Sequence, residues 1–200
     1  HSWNQYRGTV DLIQSGIIGK VQTVRAWSNK NWGFDGPAPT GSDPVPTTLD
    51  WNLWLGTAPE RAYKEGYYHP GNWRKILDFG CGTLGDMGVH IFDTPYTALA
   101  LDVPKTITTS CRKPTGFGHP FKWVWCDGVD APDSHEELAM PGADKLPDQG
   151  AMFIGEKGRL LLPHIDYPKL IVEGKYEKVD FPDLPKADHY HQFVDACLGK

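Results

Sequence analysis

Gly80-Cys81-Gly82-Thr83-Leu84-Gly85-Asp86-Met87-Gly88-Val89-His90-Ile91-Phe92-Asp93 is the stretch whose reading decides the fold. It admits two architectures. Its first six residues fit GxGxxG, and Asp102 follows about 20 residues on, the pattern of the phosphate-binding turn in a doubly wound nucleotide-binding domain. That turn needs a buried strand before its glycines, and Lys75-Ile76-Leu77-Asp78-Phe79 offers five residues with two charges. Asp86 would also fall in the first helical turn, where a pyrophosphate needs bare backbone donors and a second anion repels it. We therefore read the glycines as a tight turn that lets the backbone approach something closely. Thr83 with Asp86 three residues later has the form of a capping box, opening a helix expected to run toward Leu101 with a kink at Pro95.

The elements on either side set the class. Upstream, Trp3, Tyr6, Val10 and Ile13 recur at helical spacing, with Gly16 placed to end the helix in a left-handed cap. Lys20–Ser28 reads as a strand with apolar groups on both faces. Asn29–Asp50 holds Pro37, Pro39, Pro44 and Pro46, which excludes regular structure, and Asp50 is placed to cap a short helix, Trp51–Leu55. Downstream, Lys105–Cys111, Phe121–Cys126, Ala151–Ile154, Arg159–Leu162, Lys169–Glu173 and Tyr176–Phe181 are strand-like runs. Gly155–Gly158 and Gly174-Lys175 read as hairpin turns between them. Asp188 caps a last helix carrying Phe193, Val194, Cys197 and Leu198. Helices early and hairpins late predict an α+β class: a largely antiparallel open sheet with helices packed on one face.

Composition limits the partners. The chain has 200 residues, 40% hydrophobic, with 22 Gly and 17 Pro, which fits one globular domain with long ordered loops. A net charge of −5 leaves no basic footprint for nucleic acid. No apolar run is long enough to cross a membrane, and no signal peptide is visible, so the compartment stays open with the cytoplasm as the default. Because the first residue is His1 rather than Met, a fragment is expected. Cys81, Cys111, Cys126 and Cys197 are too widely spaced for a CxxC pair and read as free thiols. No metal site is expected; the side chains of His189-Tyr190-His191, at a helix start, do not face one another.

Two groups of residues could carry chemistry. Asp86, His90 and Asp93 are spaced by four and three, which puts them on one face of a helix. A carboxylate one turn from an imidazole can orient the ring and stabilise its cation, as a general base acting on an alcohol requires. Spacing alone favours the plainer alternative, an Asp attracted by the helix dipole and a packed histidine. The second group, Tyr68, His69, Trp73 and Arg74, combines flat apolar faces with a forked donor, which suits a sugar or cyclitol. A surface loop pinned by its aromatics is an equal reading of the same residues.

The fourteen residues quoted first resemble the GGGxLxDxGxHxxD signature of the glucose-fructose oxidoreductase, inositol dehydrogenase and MocA (Gfo/Idh/MocA) family. Further matches are Tyr6-Arg7 and Leu12–Val21, Leu49–Gly56, and His69-Pro70-Gly71-Asn72-Trp73-Arg74, so the resemblance to that family's carboxyl-terminal domain covers essentially the whole chain. It implies the substrate-binding and catalytic domain, residues 1–200, of an NAD(P)-dependent oxidoreductase acting on a sugar, sugar derivative or cyclitol. Asp86 and His90 match the paired catalytic positions, with His90 as proton acceptor; Tyr68, His69, Trp73, Arg74 and Asp93 are expected to bind substrate. NAD or NADP would be held by an amino-terminal Rossmann domain expected upstream of His1. The resemblance also implies a homo-oligomer formed through the open sheet face, one face packing on helices and the other needing cover by a partner or by the Asn29–Asp50 loop. An NAD-dependent glycoside hydrolase or a non-catalytic carbohydrate-binding module would fit the same scaffold. The sequence departs from the family in three places. No Glu-Lys-Pro motif is present, since neither Glu156-Lys157 nor Glu177-Lys178 is followed by proline. The Gly118–Trp123 segment is short, and the closing helix and strand are lacking.

Overall fold

The computed structural model describes residues 2–33, 38–108, 122–127, 136–142 and 145–200. The amphipathic stripe forms α1 (Asn4–Gln14), with Trp3 as its N-cap and Gly16 left-handed just beyond it (φ 76°). β1 (Val21–Ser28) follows as an inner strand. On one side it pairs in parallel with β2 (Lys122–Asp127), and on the other antiparallel with β3 (Gln149–Gly155). Hairpins then add β4 (Arg159–Pro163), β5 (Lys169–Val172) and β6 (Lys175–Glu177). Among the described residues the order is β2-β1-β3-β4-β5-β6, one parallel pairing in an otherwise antiparallel sheet. This is the α+β class expected from the sequence. A last helix, α5 (His189–Cys197), is capped as expected by Asp188, whose carboxylate accepts from the Tyr190 and His191 N–H groups. The apolar residues of α5, Phe193, Val194 and Leu198, are exposed.

Asp50 caps α2 (Trp51–Leu55) as expected, accepting from the Leu53 N–H at 3.0 Å. The quoted stretch departs from expectation in three respects. Thr83 does not cap: it is the second residue of α3 (Gly82–Ile91), and its hydroxyl is used elsewhere. Asp86 therefore stands beyond the first helical turn. The helix does not continue to Leu101 with a kink at Pro95; it breaks at Phe92, and α4 (Asp93–Ala98) starts anew with Pro95 in its first turn, where a missing N–H costs nothing. Farther on, Lys105–Thr108 of the run Lys105–Cys111 is not a strand, and the rest of that run lies outside the described residues, as does Phe121. The last hairpin turns on Glu173-Gly174, both at positive φ, one residue earlier than expected. The last strand ends at Glu177 rather than reaching Phe181.

Alternation along the strands builds two apolar faces. Val24, Ala26, Phe153 and Leu160 face a core shared with Tyr6 and Ile13 of α1, Met87 and Ile91 of α3 and Ala98 of α4. Trp27, Met152, Leu161 and Ile171 face the other way and are also buried, beneath Leu138, Met140 and Leu146. Part of the cover over this face is provided by the chain's own Leu138, Met140 and Leu146. Full burial of each such side chain is worth about 2 kcal/mol, so the apolar contact outweighs any single polar link in holding this segment. Three polar links fix its position. Arg25, buried in β1, pairs through Nη2 with Glu137 at 2.5 Å; Arg159 Nη1 donates to the Glu137 carbonyl at 2.6 Å; Trp27 Nε1 donates to the Pro147 carbonyl at 2.7 Å.

Candidate active site

Helix α3 is tied at its start to the chain leaving β1. The Thr83 hydroxyl accepts from the Trp32 N–H at 2.9 Å and donates to the Lys30 carbonyl at 3.0 Å, which draws Trp32 against the helix. The glycines explain how the backbone fits there. A Cβ on Gly80 would lie 2.6 Å from the Arg74 carbonyl oxygen, and Gly82, at φ 68°, would put one 2.9 Å from the Trp32 carbonyl oxygen. The close approach that GxGxxG permits is therefore made to this chain's own backbone. Residues 76–81 run as turns with no strand. Gly80–Gly85 does not fit a dinucleotide pyrophosphate.

Arg74 fills the space beside α3. It belongs to a 3-10 turn, Asn72–Lys75, held by Trp73 N–H donating to the Tyr68 carbonyl at 2.8 Å and by Asn72 Nδ2 donating to the Gly66 carbonyl at 2.5 Å. Its Nε donates to Asp86 Oδ1 at 2.7 Å, Nη1 reaches the Gly71 carbonyl at 3.3 Å, and the guanidinium lies 4.7 Å from the ring centroids of both Trp32 and Trp73. A planar cation against two indoles loses little by shedding water there, while it keeps a charge-assisted bond to the carboxylate. Behind this turn, Tyr68 is buried in an aromatic cluster with Trp51, Trp54 and Phe79. His69 is exposed at the edge of that cluster, its ring 6.5 Å from Trp54.

His90 lies one turn beyond Asp86, about 6 Å along the helix axis. It is exposed and borders a cleft with Tyr6, Ile91, Gly150, Leu162 and His164. The His90 and His164 rings are 5.8 Å apart, and Tyr6 Oη is 3.2 Å from His164 Nδ1 while accepting the Ile165 N–H at 3.1 Å. Burial, then the neighbouring His90, push the His164 pKa below its usual value. Burial raises that of Tyr6, against a smaller opposing effect of the Ile165 hydrogen bond.

The expected residues thus divide into three places. Asp86, Arg74 and Trp73 come together, with one face of Trp73 taken by Arg74. His90 stands one turn away with Tyr6 and His164. Tyr68 and His69 belong to the aromatic cluster, and Asp93 is exposed at the first position of α4. Sequence reasoning missed Trp32, Tyr6 and His164 as site residues. Tyr6 was legible as part of an apolar stripe; His164, after the apolar run of β4, has no spacing relation to His90, and sheet pairing alone brings it there.

The family model described as an oxidoreductase family, C-terminal alpha/beta domain, in the Gfo/Idh/MocA group, matches residues 5–111, from α1 past α4. That span contains Arg74, Asp86 and His90. No curated protein matches the chain.

Proposed function

Since the chain belongs to the Gfo/Idh/MocA oxidoreductase family through its C-terminal alpha/beta domain, we propose that it is the substrate-binding and catalytic domain of an NAD(P)-dependent dehydrogenase. The substrate class is a sugar, sugar derivative or cyclitol hydroxyl. One observation carries the reading: an exposed imidazole, His90, stands at a cleft one helical turn from a carboxylate, Asp86, that Arg74 holds in place. Oxidation of a hydroxyl-bearing carbon releases a proton from oxygen, and an accessible imidazole is suited to take it near neutral pH. Asp86, held by Arg74, shares the helix face of His90 one turn away and is placed to orient its ring. NAD or NADP supplies the hydride acceptor in this reading, and its site is expected in a Rossmann domain preceding His1, since Gly80–Gly85 does not fit the pyrophosphate. The 200 residues alone would accordingly be inactive.

Trp73, Arg74, His69, Tyr68 and Asp93 enter the proposal unequally. His69 and Asp93 are exposed and able to meet hydroxyl groups. Arg74 acts through Asp86, and Tyr68 shapes the loop that carries it. Self-association through the sheet remains part of the proposal, with Leu138, Met140 and Leu146 lying over part of its second face. Sedimentation of the intact protein at micromolar concentration tests it, a monomer being the contrary result.

The test of the reaction class is an assay of the intact protein with NAD and NADP against free sugars, cyclitols and aryl glycosides. Reduced nicotinamide accumulating with a free sugar or cyclitol supports the dehydrogenase. Aryl release without net reduction would assign the glycosidase instead.

A further inference from the structure

The cleft beside His90 contains a second imidazole that the proton-transfer argument does not use. His164 lies at the end of β4, and its Nδ1 faces the phenol of Tyr6 at 3.2 Å. The Tyr6 oxygen accepts the Ile165 backbone N–H at 3.1 Å, which polarises its own O–H for donation to Nδ1. A histidine that accepts at Nδ1 while neutral carries its proton on Nε2. His90, on the neighbouring helix, has its ring 5.8 Å away across the same cleft. Both imidazoles line the cleft together with Tyr6, so one oxygen entering it would meet His90 and His164 at once.

We propose that Tyr6 fixes His164 as its Nε2–H tautomer, making His164 the hydrogen-bond donor to the substrate oxygen whose proton His90 accepts. The site then presents one acceptor and one donor to the same oxygen. Such a donor follows the oxygen as it turns from hydroxyl into carbonyl and gains negative character on the way. Burial and the nearby His90 oppose protonation of His164, which favours the neutral ring that the tautomer assignment requires. Tyr6 is a positioning residue, and its burial keeps the phenol protonated. The role assigned to His164 rests on the dehydrogenase reading; the tautomer does not.

The experiment is long-range proton–nitrogen correlation on the imidazoles of the nitrogen-labelled intact protein at neutral pH, repeated for Tyr6→Phe and with myo-inositol and glucose as polyol probes. Wild type is expected to show His164 neutral with Nε2 protonated. Tyr6→Phe keeps the buried ring and is expected to give a mixture of tautomers. At least one polyol is expected to move the Nε2 resonance. In turnover, His164→Leu should cost roughly tenfold in kcat/KM, with partial recovery in His164→Gln, whose amide can donate from the Nε2 position. A His164 that is charged or protonated on Nδ1, a tautomer indifferent to Tyr6→Phe, or an Nε2 resonance that neither polyol moves would each overturn the proposal. Loss of the dehydrogenase reading shows itself separately, as turnover that does not depend on His90 while the tautomer stays as stated.

Discussion

Arg74 donates to Asp86 at 2.7 Å while its guanidinium lies 4.7 Å from the ring centroids of both Trp32 and Trp73. The arginine is thereby held by two aromatic contacts and one charge-assisted bond to a carboxylate of α3. Arg74, expected to bind substrate, also ties its loop to the helix that carries His90. Asp86 is correspondingly not a free carboxylate at the mouth of a phosphate turn.

Replacing Arg74 by Ala removes two cation–π contacts and a charge-assisted bond, and should lower stability by about 1–3 kcal/mol. Lys in its place should recover little, because an ammonium cannot stack on two rings and bond to Asp86 at once. Urea unfolding of both variants checks this. A lysine variant as stable as wild type would show that charge alone holds the site.

Calorimetry of the 200-residue chain with NAD and with NADP should show no tight binding. Gly80 and Gly82 are packed against the Arg74 and Trp32 carbonyls, so the backbone donors that would cradle a pyrophosphate have no room to receive one. A dissociation constant in the low micromolar range would restore Gly80–Gly85 as a nucleotide fingerprint.

Arg25 is buried, and Glu137 holds the segment 136–142 against it. Glu137→Ala should cost about 1–3 kcal/mol, chiefly by leaving the guanidinium buried without a counterion. Hydrogen exchange should quicken over residues 136–148, and Trp27 fluorescence should shift to the red as water reaches the second face. Unchanged exchange would mean that the apolar contacts of Leu138, Met140 and Leu146 suffice.

What could be read from the sequence follows from how local each cause is. Asp50 at α2, Asp188 at α5 and the period of α1 act within a turn or two, and all three elements form where expected. Thr83 does not cap its own helix because Trp32 and Lys30, distant in sequence, compete for its hydroxyl and win. The break at Phe92 was hidden for a similar reason, since α4 turns to pack on α1 and no breaking residue marks the place. In the site, Asp86 and His90 were legible because i and i+4 share a helix face. The Arg74–Asp86 pair was not legible, because the two lie 12 residues apart with turns between them. Tyr6 and His164 meet only after α1 has docked on the sheet, a relationship no local spacing encodes.

Stability should fall with acidification from neutral pH. His164 has a folded pKa below its ordinary 6.5, so below that value the unfolded chain binds the proton more readily and stability is lost until the folded pKa is passed. Asp43 and Asp188 act in a separate window. Backbone N–H donors, from Glu65 to Asp43 and from His191 and Tyr190 to Asp188, lower their pKa values beneath 3.8, and the stabilisation they give is lost as pH falls through those lowered values. Urea midpoints from about pH 7 to about pH 5 should therefore slope in wild type and flatten in His164→Gln. Equal slopes in the two proteins would place the acid sensitivity elsewhere.

The central claim is that His90 takes the substrate proton, and the direct measurement is steady-state turnover of His90→Ala in the intact protein, on whichever polyol supports nicotinamide reduction by the wild type. The account predicts a fall in kcat of roughly 10²–10⁴ with cofactor affinity little changed, and a smaller fall for Asp86→Asn. Wild-type turnover in His90→Ala would contradict it and leave His90 a histidine at the rim of a cleft that does no chemistry.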